Sequence, residues 1–118
     1  MAKTVLIVDD HPSFRASARR MLEADGYEVV AEAEDGGAAL AAAQRLHPDL
    51  VLLDVRLPDI DGFEVARRLL DGNGRAPQIV LTSSHDSSDL GEAIGASGAR
   101  GFIHKGELSG AALDAVLR

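Results

Sequence analysis

The sequence predicts an α/β fold in which helices cover both faces of one parallel sheet. Short apolar runs alternate with helix-like segments five times along the 118 residues, and strands separated by helices pair in parallel through right-handed crossovers. Aromatic residues make up only 3% of the chain, so the core must consist of Leu, Val, Ile and Ala, which suits layered α/β packing. The length is sufficient for one domain, which we place at residues 1–118.

Each element is predicted from its local pattern. Residues 5–8 form the first strand because all four are apolar and three are β-branched. A helix follows at Pro12, which is favoured in a first helical turn, and Gly26 ends it. The fourth helix, near Leu90 and Ile94, contains several glycines, and we expect it to be mobile. The same signals place strands at residues 27–33, 50–53, 77–82 and 99–104 and helices at residues 38–46, 62–70 and 107–117.

Polar side chains follow the ends of four of the predicted strands. The first strand ends on Asp9 and Asp10, the third on Asp54, the fourth on Thr82 and the fifth on Lys105. Because the carboxyl ends of parallel strands meet at one edge of a sheet, we expect three carboxylates, a hydroxyl and an ammonium to converge there. Asp54, which directly follows a buried apolar run, is the first candidate for chemistry.

This set of side chains favours phosphoryl transfer to a carboxylate. Crowded carboxylates raise one another's pKa, and a divalent cation relieves their repulsion. Oxygen ligands suit Mg²⁺, with Mn²⁺ as an alternative, and do not suit Zn²⁺. Lys105 supplies a cation and Thr82 a hydrogen-bond donor for phosphoryl oxygens, while Asp54 is a carboxylate nucleophile able to form an aspartyl-phosphate.

The composition excludes several other classes of function. The absence of Cys excludes a disulfide scaffold and a thiolate metal site, and it is compatible with the cytoplasm, where we place the protein. No stretch approaches the ~18 apolar residues of a membrane span. The net charge of −7 makes the domain a poor candidate to bind nucleic acid by itself.

The remaining polar residues are interpreted as structural or surface groups. The four histidines, at positions 11, 47, 85 and 104, have no metal-ligand spacing, and His11 is given a surface role although it follows Asp10. Asp59 and Asp61 are expected to cap and shape the loop after Asp54. The arginines of the first helix are interpreted as a solvated face or as a contact for a partner: Arg15, Arg19 and Arg20.

Four motifs in consistent order resemble the receiver domain of bacterial two-component response regulators. They are VLIVDD at residues 5–10, LPDIDG at residues 57–62 after Asp54, IVLT at residues 79–82 and GFIHK at residues 101–105. The resemblance extends over essentially the whole chain. It implies a flavodoxin-like, doubly wound (βα)5 fold with a five-stranded sheet in the order 2-1-3-4-5.

The resemblance also implies a role for each residue at the sheet edge. Asp54 accepts a phosphoryl group from a histidine kinase or a phosphotransfer domain. Asp10, Asp54 and the backbone carbonyl of Arg56 bind Mg²⁺ directly, and Asp9 acts largely through water. Lys105 pairs with a phosphoryl oxygen.

A second group of implied roles concerns the transmission of the signal. Thr82 moves toward the phosphoryl group on activation, and Phe102 stands where the family has an aromatic switch. The surface formed by the fourth helix, fifth strand and fifth helix is an output face and often a dimer interface, so we expect a homodimer on activation. The wording of the motifs is closest to receivers joined to LuxR-type DNA-binding domains, so DNA is contacted only through an output domain outside these 118 residues.

Three positions depart from the family pattern. Ser83 follows Thr82 where a small residue, often Ala, is usual, and Ser still leaves room for phosphate access. Arg56 places a long cation near the mouth of the site. Gly106 follows Lys105 where the family has a proline in a cis peptide, and the isomer here is left undecided. Arg56 and Ser84, near the mouth of the site, are predicted to tune the rate of dephosphorylation.

Two other functions remain as alternatives. The first is an unphosphorylated pseudo-receiver that serves as an interaction module. The four side chains that phosphorylation needs are intact, which argues against it: Asp10, Asp54, Thr82 and Lys105. The second is a metal-dependent phosphatase of the haloacid dehalogenase type, which needs an Asp-x-Asp motif on the first strand instead of adjacent Asp9 and Asp10, and which needs room for a cap domain.

Overall fold

A computed structural model of the chain describes residues 2–72, 76–84 and 90–118 and confirms the predicted fold. Five parallel strands form one sheet in the order β2-β1-β3-β4-β5. The strands are β1 (Thr4–Val8), β2 (Glu28–Ala33), β3 (Leu50–Asp54), β4 (Gln78–Ser83) and β5 (Gly101–His104). The helices are α1 (Pro12–Ala24), α2 (Gly36–Leu46), α3 (Gly62–Leu70), α4 (Gly91–Ser97) and α5 (Gly110–Leu117).

Alternate residues of the central strands build two separate cores, one on each face of the sheet. On one face, residues such as Leu53 and Leu81 pack against α2, α3 and α4. On the other, residues such as Leu52 and Val80 pack against α1 and α5, where Leu22 is fully buried. Strands that are buried on both faces have continuous apolar sequences, which is why these strands could be predicted from the sequence.

The second helix begins two residues earlier than predicted, at Gly36 and not at residue 38. The side chain of Asp35 accepts a hydrogen bond from the Ala38 backbone N–H at 2.7 Å, as a helix N-cap does. The carboxylate of Asp59 accepts from the backbone N–H groups of Gly36 and Gly37, each at 2.8 Å. The capping role predicted for Asp59 is therefore confirmed, but it serves a different helix from the one that follows it.

The last helix begins later than predicted, at Gly110 and not at residue 107. A 3-10 turn, Lys105–Glu107, follows β5 instead, and Ser109 caps α5 by accepting from the Ala112 N–H at 3.0 Å. No cis peptide bond occurs among the described residues, so the Lys105–Gly106 bond, whose isomer the sequence left open, is trans.

Candidate functional site

Asp54 lies at the centre of the carboxyl edge of the sheet. It is the last residue of β3, it is 3% exposed, and its backbone faces Thr82 of β4. One carboxylate oxygen, Oδ1, accepts a hydrogen bond from the Arg56 backbone N–H at 3.1 Å. The other, Oδ2, accepts from the Lys105 ammonium at 3.1 Å. The prediction that Asp54 stands at the end of a buried strand is confirmed.

Asp9 is a second buried carboxylate beside Asp54. It follows β1, and its backbone N–H donates to the carbonyl of Ala33 at 3.0 Å, which continues the pairing of β1 with β2. Its Oδ1 accepts from the His11 backbone N–H at 2.8 Å. Its Oδ2 is buried and accepts no hydrogen bond of good geometry from the described residues, although the Lys105 Nζ lies 2.5 Å away. The Lys105 ammonium is therefore the counter-charge of this buried oxygen.

Lys105 holds its ammonium between these two carboxylates. Its side chain is 13% exposed, and its Nζ also lies 4.7 Å from the centroid of the Phe14 ring, a cation–π distance. Burial acts to lower the pKa of Lys105, but its contacts with Asp9 and Asp54 outweigh that effect, and the pKa is raised. Lys105 is therefore a fixed positive charge at neutral pH.

Burial raises the pKa of Asp54 above its ordinary value. The hydrogen bonds from the Arg56 backbone and from Lys105 oppose the rise, and the negative charge of Asp9 adds to it. A positive charge added near Asp54 would stabilise the ionised form of this carboxylate.

The raised pKa of Asp54 predicts how the stability of the domain against unfolding depends on pH. A raised folded-state pKa contributes stability that is full below the ordinary carboxyl pKa of 3.8 and is lost as the pH rises through the folded-state value. Without divalent cations, Asp54→Asn is therefore expected to unfold at a higher denaturant concentration than the parent at pH 7.5, and this advantage should shrink toward pH 4. Urea unfolding in EDTA across this range measures it, and a parent that is the more stable at pH 7.5 would contradict the prediction.

Donor atoms of four side chains lie close enough together to share one cation. Carboxylate oxygens of Asp9, Asp10 and Asp54 and a ring nitrogen of His11 all lie within 4.8 Å of one another. The oxygen atoms of the three carboxylates fit a divalent cation that prefers oxygen ligands. The backbone N–H of Arg56 faces Asp54, and the predicted role of the Arg56 carbonyl stays a prediction.

Thr82 presents a buried hydroxyl beside this acidic cluster. The residue is fully buried, and its Oγ1 has no hydrogen-bond partner among the described residues. Its carbonyl accepts from the Val55 N–H at 3.0 Å, which fixes the backbone next to Asp54. A buried hydroxyl without a partner is costly, and an incoming acceptor oxygen removes that cost.

Three further predicted residues lie around the site. Ser84 is exposed, and its carbonyl lies 3.0 Å from the His104 Nε2. Arg56 is exposed at the mouth. Phe102 is half-buried and packs against the core on the α2, α3 and α4 side, next to an open hollow that α5 lines as well.

Sequence reasoning missed the roles of two residues near Asp9. His11 was given a surface role, and its side chain is 64% exposed, yet its Nδ1 also lies 2.9 Å from Asp9 Oδ1 and 3.1 Å from Asp10 Oδ1. Arg15 was interpreted as solvated or as a partner contact, but its guanidinium donates to the Asp9 backbone carbonyl and pairs with Glu32 at 3.1 Å. The one available signal was that both residues follow the Asp9-Asp10 pair within five positions.

Across the described ranges, no helix has both the length and the apolar character needed to span a membrane.

The fold and site define an α/β protein with buried carboxylates and a fixed ammonium at the carboxyl edge of its sheet. The sequence model of the response regulator receiver domain matches residues 5–117. The chain belongs to this family, the receiver domains of two-component response regulators.

Curated relatives agree with this assignment. The nitrate/nitrite response regulator protein NarP of Escherichia coli is 44% identical over 102 residues, which are 86% of this chain and 47% of NarP. The response regulator GacA of Pseudomonas viridiflava is 38% identical over 103 residues, which are 86% of this chain and 48% of GacA. The chain thus spans about half the length of the curated relatives it matches.

Solved structures agree as well. A two-component response regulator of the LuxR family from an Aurantimonas species is 34% identical, with a TM-score of 0.84 over 99% of this chain and 86% of that one. A CheY-like receiver domain protein from Methanospirillum hungatei is 26% identical, with a TM-score of 0.82 over 99% of this chain and 92% of that one. Together with NarP, the first of these supports the LuxR-type subfamily.

Proposed function

We propose that this receiver domain is a phosphorylation-dependent switch in which Asp54 accepts a phosphoryl group from a histidine kinase or a phosphotransfer domain. The observation that carries the proposal is the arrangement around this carboxylate. Asp54 is buried, its Oδ2 lies 3.1 Å from the Lys105 Nζ, and its neighbour across the strand ladder, Thr82, has a buried hydroxyl without a partner among the described residues.

The reaction is a displacement at phosphorus. An oxygen of the Asp54 carboxylate forms a bond to the phosphorus of a phosphohistidine, and the phosphorus–nitrogen bond breaks. The imidazole leaves with the bonding electrons and takes up a proton, so the product is an acyl phosphate and no oxidation or reduction occurs. The ammonium of Lys105 neutralises charge on the phosphoryl oxygens, and the hydroxyl of Thr82 donates to one of them.

A divalent cation is part of the proposal, with Mg²⁺ as the first choice and Mn²⁺ as the alternative. Asp10, Asp54 and the Arg56 carbonyl would hold it directly, and Asp9 would contribute largely through water. The cation supplies positive charge that offsets both the carboxylates and the incoming phosphoryl group. Asp10, with a side chain 38% exposed, is accessible to a hydrated ion.

The signal leaves through α4, β5 and α5. Movement of Thr82 toward the phosphoryl group and a change in Phe102 couple the site to this face, where homodimers form on activation. The output is transcription, since the relatives include the transcription regulator BvgA of Bordetella pertussis, of which this chain spans 51%. DNA contact then belongs to a domain beyond residues 1–118, in a cytoplasmic protein, and the receiver itself catalyses only its own phosphorylation and dephosphorylation.

Labelling with acetyl phosphate tests the proposal. The chain should gain the mass of one phosphoryl group in the presence of Mg²⁺ and should remain unmodified in EDTA. A pseudo-receiver would take up no label under either condition. A phosphatase would continue to release phosphate from p-nitrophenyl phosphate over many turnovers, and either result would contradict the switch.

The exposed Arg56 side chain is expected to lengthen the lifetime of the acyl phosphate. A long cation at the mouth hinders water and attracts the phosphoryl oxygens, so Arg56→Ala is expected to shorten the half-life. An exposed charge contributes about 0.2–1 kcal/mol, which corresponds to a change of up to about fivefold. Ser84→Ala should change the half-life in the same assay, because Ser84 also lies at the mouth.

Arg45→Ala is the matched control, since Arg45 is an exposed arginine in the last turn of α2, away from the carboxyl edge. Decay of the phosphorylated chain on a phosphate-affinity gel measures the half-life. Equal half-lives for the parent and Arg56→Ala would show that Arg56 does not influence the lifetime of the acyl phosphate.

A further inference from the structure

We propose that His104 is a positioning residue for the phosphorylation of Asp54. Its imidazole ties the turn that carries Lys105 to the end of the strand that carries Thr82. The inference rests on the proposed function, because these are the two side chains that receive the phosphoryl oxygens there. The sequence had left His104 among the structural or surface groups, without a part in the site.

The two nitrogens of the His104 ring make one contact on each side. Nδ1 accepts a hydrogen bond from the backbone N–H of Gly106, the residue after Lys105, at 3.0 Å. Nε2 lies 3.0 Å from the backbone carbonyl oxygen of Ser84, two residues after Thr82. The imidazole therefore bridges the two chain segments that leave the carboxyl ends of β5 and β4.

These contacts define which nitrogen of His104 carries the proton. A ring nitrogen that accepts an N–H has no proton of its own, so the proton of the neutral ring is on Nε2. Nε2 faces a carbonyl oxygen, which is an acceptor, so this N–H can donate to it. A single neutral tautomer thus satisfies both nitrogens, and the ring is held at both ends.

The ring lies where the backbone pairing of β4 with β5 stops. The last pair of this ladder is Ser83 with His104. Lys105 is the next residue, and it begins the 3-10 turn, Lys105–Glu107, of which His104 is the N-cap. The side chain of His104 therefore continues the link between the two segments beyond the last backbone pair, at the point where the chain presents Lys105 to the site.

The Gly106 backbone is matched to the ring. A Cβ at this position would lie 3.2 Å from Nδ1 and 3.4 Å from Cε1 of His104, closer than most such contacts. Glycine therefore leaves room for the imidazole against the turn. It also has more backbone freedom than other residues, so the hydrogen bond from its N–H restricts a segment that the sequence alone would leave variable.

The position of this turn sets the position of the Lys105 ammonium, which lies 3.1 Å from Asp54 Oδ2. Misplacement of a positioned group by about 1 Å can lower a rate about 100-fold. Both contacts of the His104 ring are at the surface, where water can replace them in part. We therefore expect loss of the ring to slow phosphorylation about tenfold.

Labelling of the whole chain by acetyl phosphate at saturating Mg²⁺ tests the proposal through two variants. His104→Leu removes both hydrogen bonds but keeps an apolar side chain, and its initial rate should fall about tenfold. His104→Asn places an amide oxygen near the position of Nδ1, where it can accept from the N–H two residues on, and its rate should stay within about threefold of the parent. A residue that serves only packing would show the opposite order, because Leu preserves more apolar contact than Asn. Labelling of His104→Asn that is no faster than that of His104→Leu would overturn the proposal.

Nitrogen NMR of the parent gives a second readout that does not involve phosphorylation. We expect one tautomer of His104, with the proton on Nε2 and with coupling across the hydrogen bond from Gly106. His47→Asn is the matched control, since His47 is exposed at the end of α2 and has a left-handed backbone that Asn adopts readily, so its labelling rate should stay within about twofold of the parent. A ring that averages between tautomers, or a fall in the rate of His47→Asn equal to that of His104→Leu, would contradict the role of His104. Neither result would bear on Asp54 as the acceptor, which the labelling of the parent tests separately.

Discussion

Lys105→Met is expected to lower both the stability of the domain and the rate of its phosphorylation. The substitution keeps a long apolar stem over Phe14 but removes the ammonium that lies 2.5 Å from Asp9 Oδ2 and 3.1 Å from Asp54 Oδ2. Two carboxylates that are 0% and 4% exposed then lose their counter-charge. We expect a loss of about 2–3 kcal/mol in the free energy of unfolding at pH 7.5 in EDTA.

The pH dependence of this loss identifies its cause. Protonation of the carboxylates removes the need for a counter-charge, so the difference between parent and variant should diminish toward pH 4. Saturating Mg²⁺ should also recover part of it. Lys3→Met is the control, because Lys3 is exposed at the opposite edge of the sheet, where it donates to Gln78.

The kinetic effect of Lys105→Met should be larger than its effect on stability. Removal of one preorganised charge or donor from a transition state costs about 100- to 1,000-fold. The initial rate of labelling by acetyl phosphate at saturating Mg²⁺, compared with the parent, measures it. A loss of stability that does not diminish at low pH, together with a labelling rate within twofold of the parent, would mean that Lys105 serves only packing.

Gly62→Ala is the second substitution with a large expected effect. A Cβ at Gly62 would overlap the backbone carbonyl oxygen of Asp54 and would lie 2.7 Å from the Cα of Val55. The backbone here has little freedom to move, because the Gly62 N–H donates to the Val55 carbonyl at 2.9 Å and Val55 in turn donates to Thr82. We expect a loss of about 3 kcal/mol, at the upper end of the usual cost of overpacking.

The same displacement should weaken cation binding, because Asp54 itself has to shift. Gly95→Ala provides the contrast, since Gly95 lies inside α4 with nothing within 4 Å of a new Cβ. This variant should gain about 0.5–1 kcal/mol from helix propensity and keep the parent affinity for Mg²⁺. Thermal unfolding and Mg²⁺ titration of both variants measure these effects, and a stable Gly62→Ala with parent affinity would show that the loop tolerates the added carbon.

The strand pattern and the strand ends were predictable from the sequence for a physical reason. A strand buried on both faces must be apolar throughout, so β3 was visible as a run that stops at Asp54. Parallel pairing places the carboxyl ends of all the strands at one edge of the sheet. The proximity of Asp9, Thr82 and Lys105 to Asp54 could therefore be predicted before any side-chain contact was known.

Contacts that depend on side-chain direction were not predictable in the same way. The ring of His11 has no helical or strand period to reveal that it faces Asp9 and Asp10. Arg15 is spaced as a helix surface residue, yet it reaches back to the Asp9 carbonyl because Glu32 on β2 holds its guanidinium.

The boundaries of α2 and α5 were wrong because they depend on which side chain caps the helix. The cap of α2 involves Asp59, which is 22 or more positions away along the chain. Such a partner is found only once the loop after β3 is placed next to α2.

Localisation of the phosphoryl group shows directly whether Asp54 is the phosphoryl acceptor. The chain is labelled with acetyl phosphate and Mg²⁺, the acyl phosphate is reduced with borohydride, and the modified residue is identified by peptide mass spectrometry in the parent and in Asp54→Asn. Asp71→Asn, at an exposed position after α3, is the matched control. We expect one modified residue, Asp54, in the parent and the control and no label in Asp54→Asn. Label that persists in Asp54→Asn, or that maps to Asp9 or Asp10 in the parent, would show that Asp54 is not the acceptor.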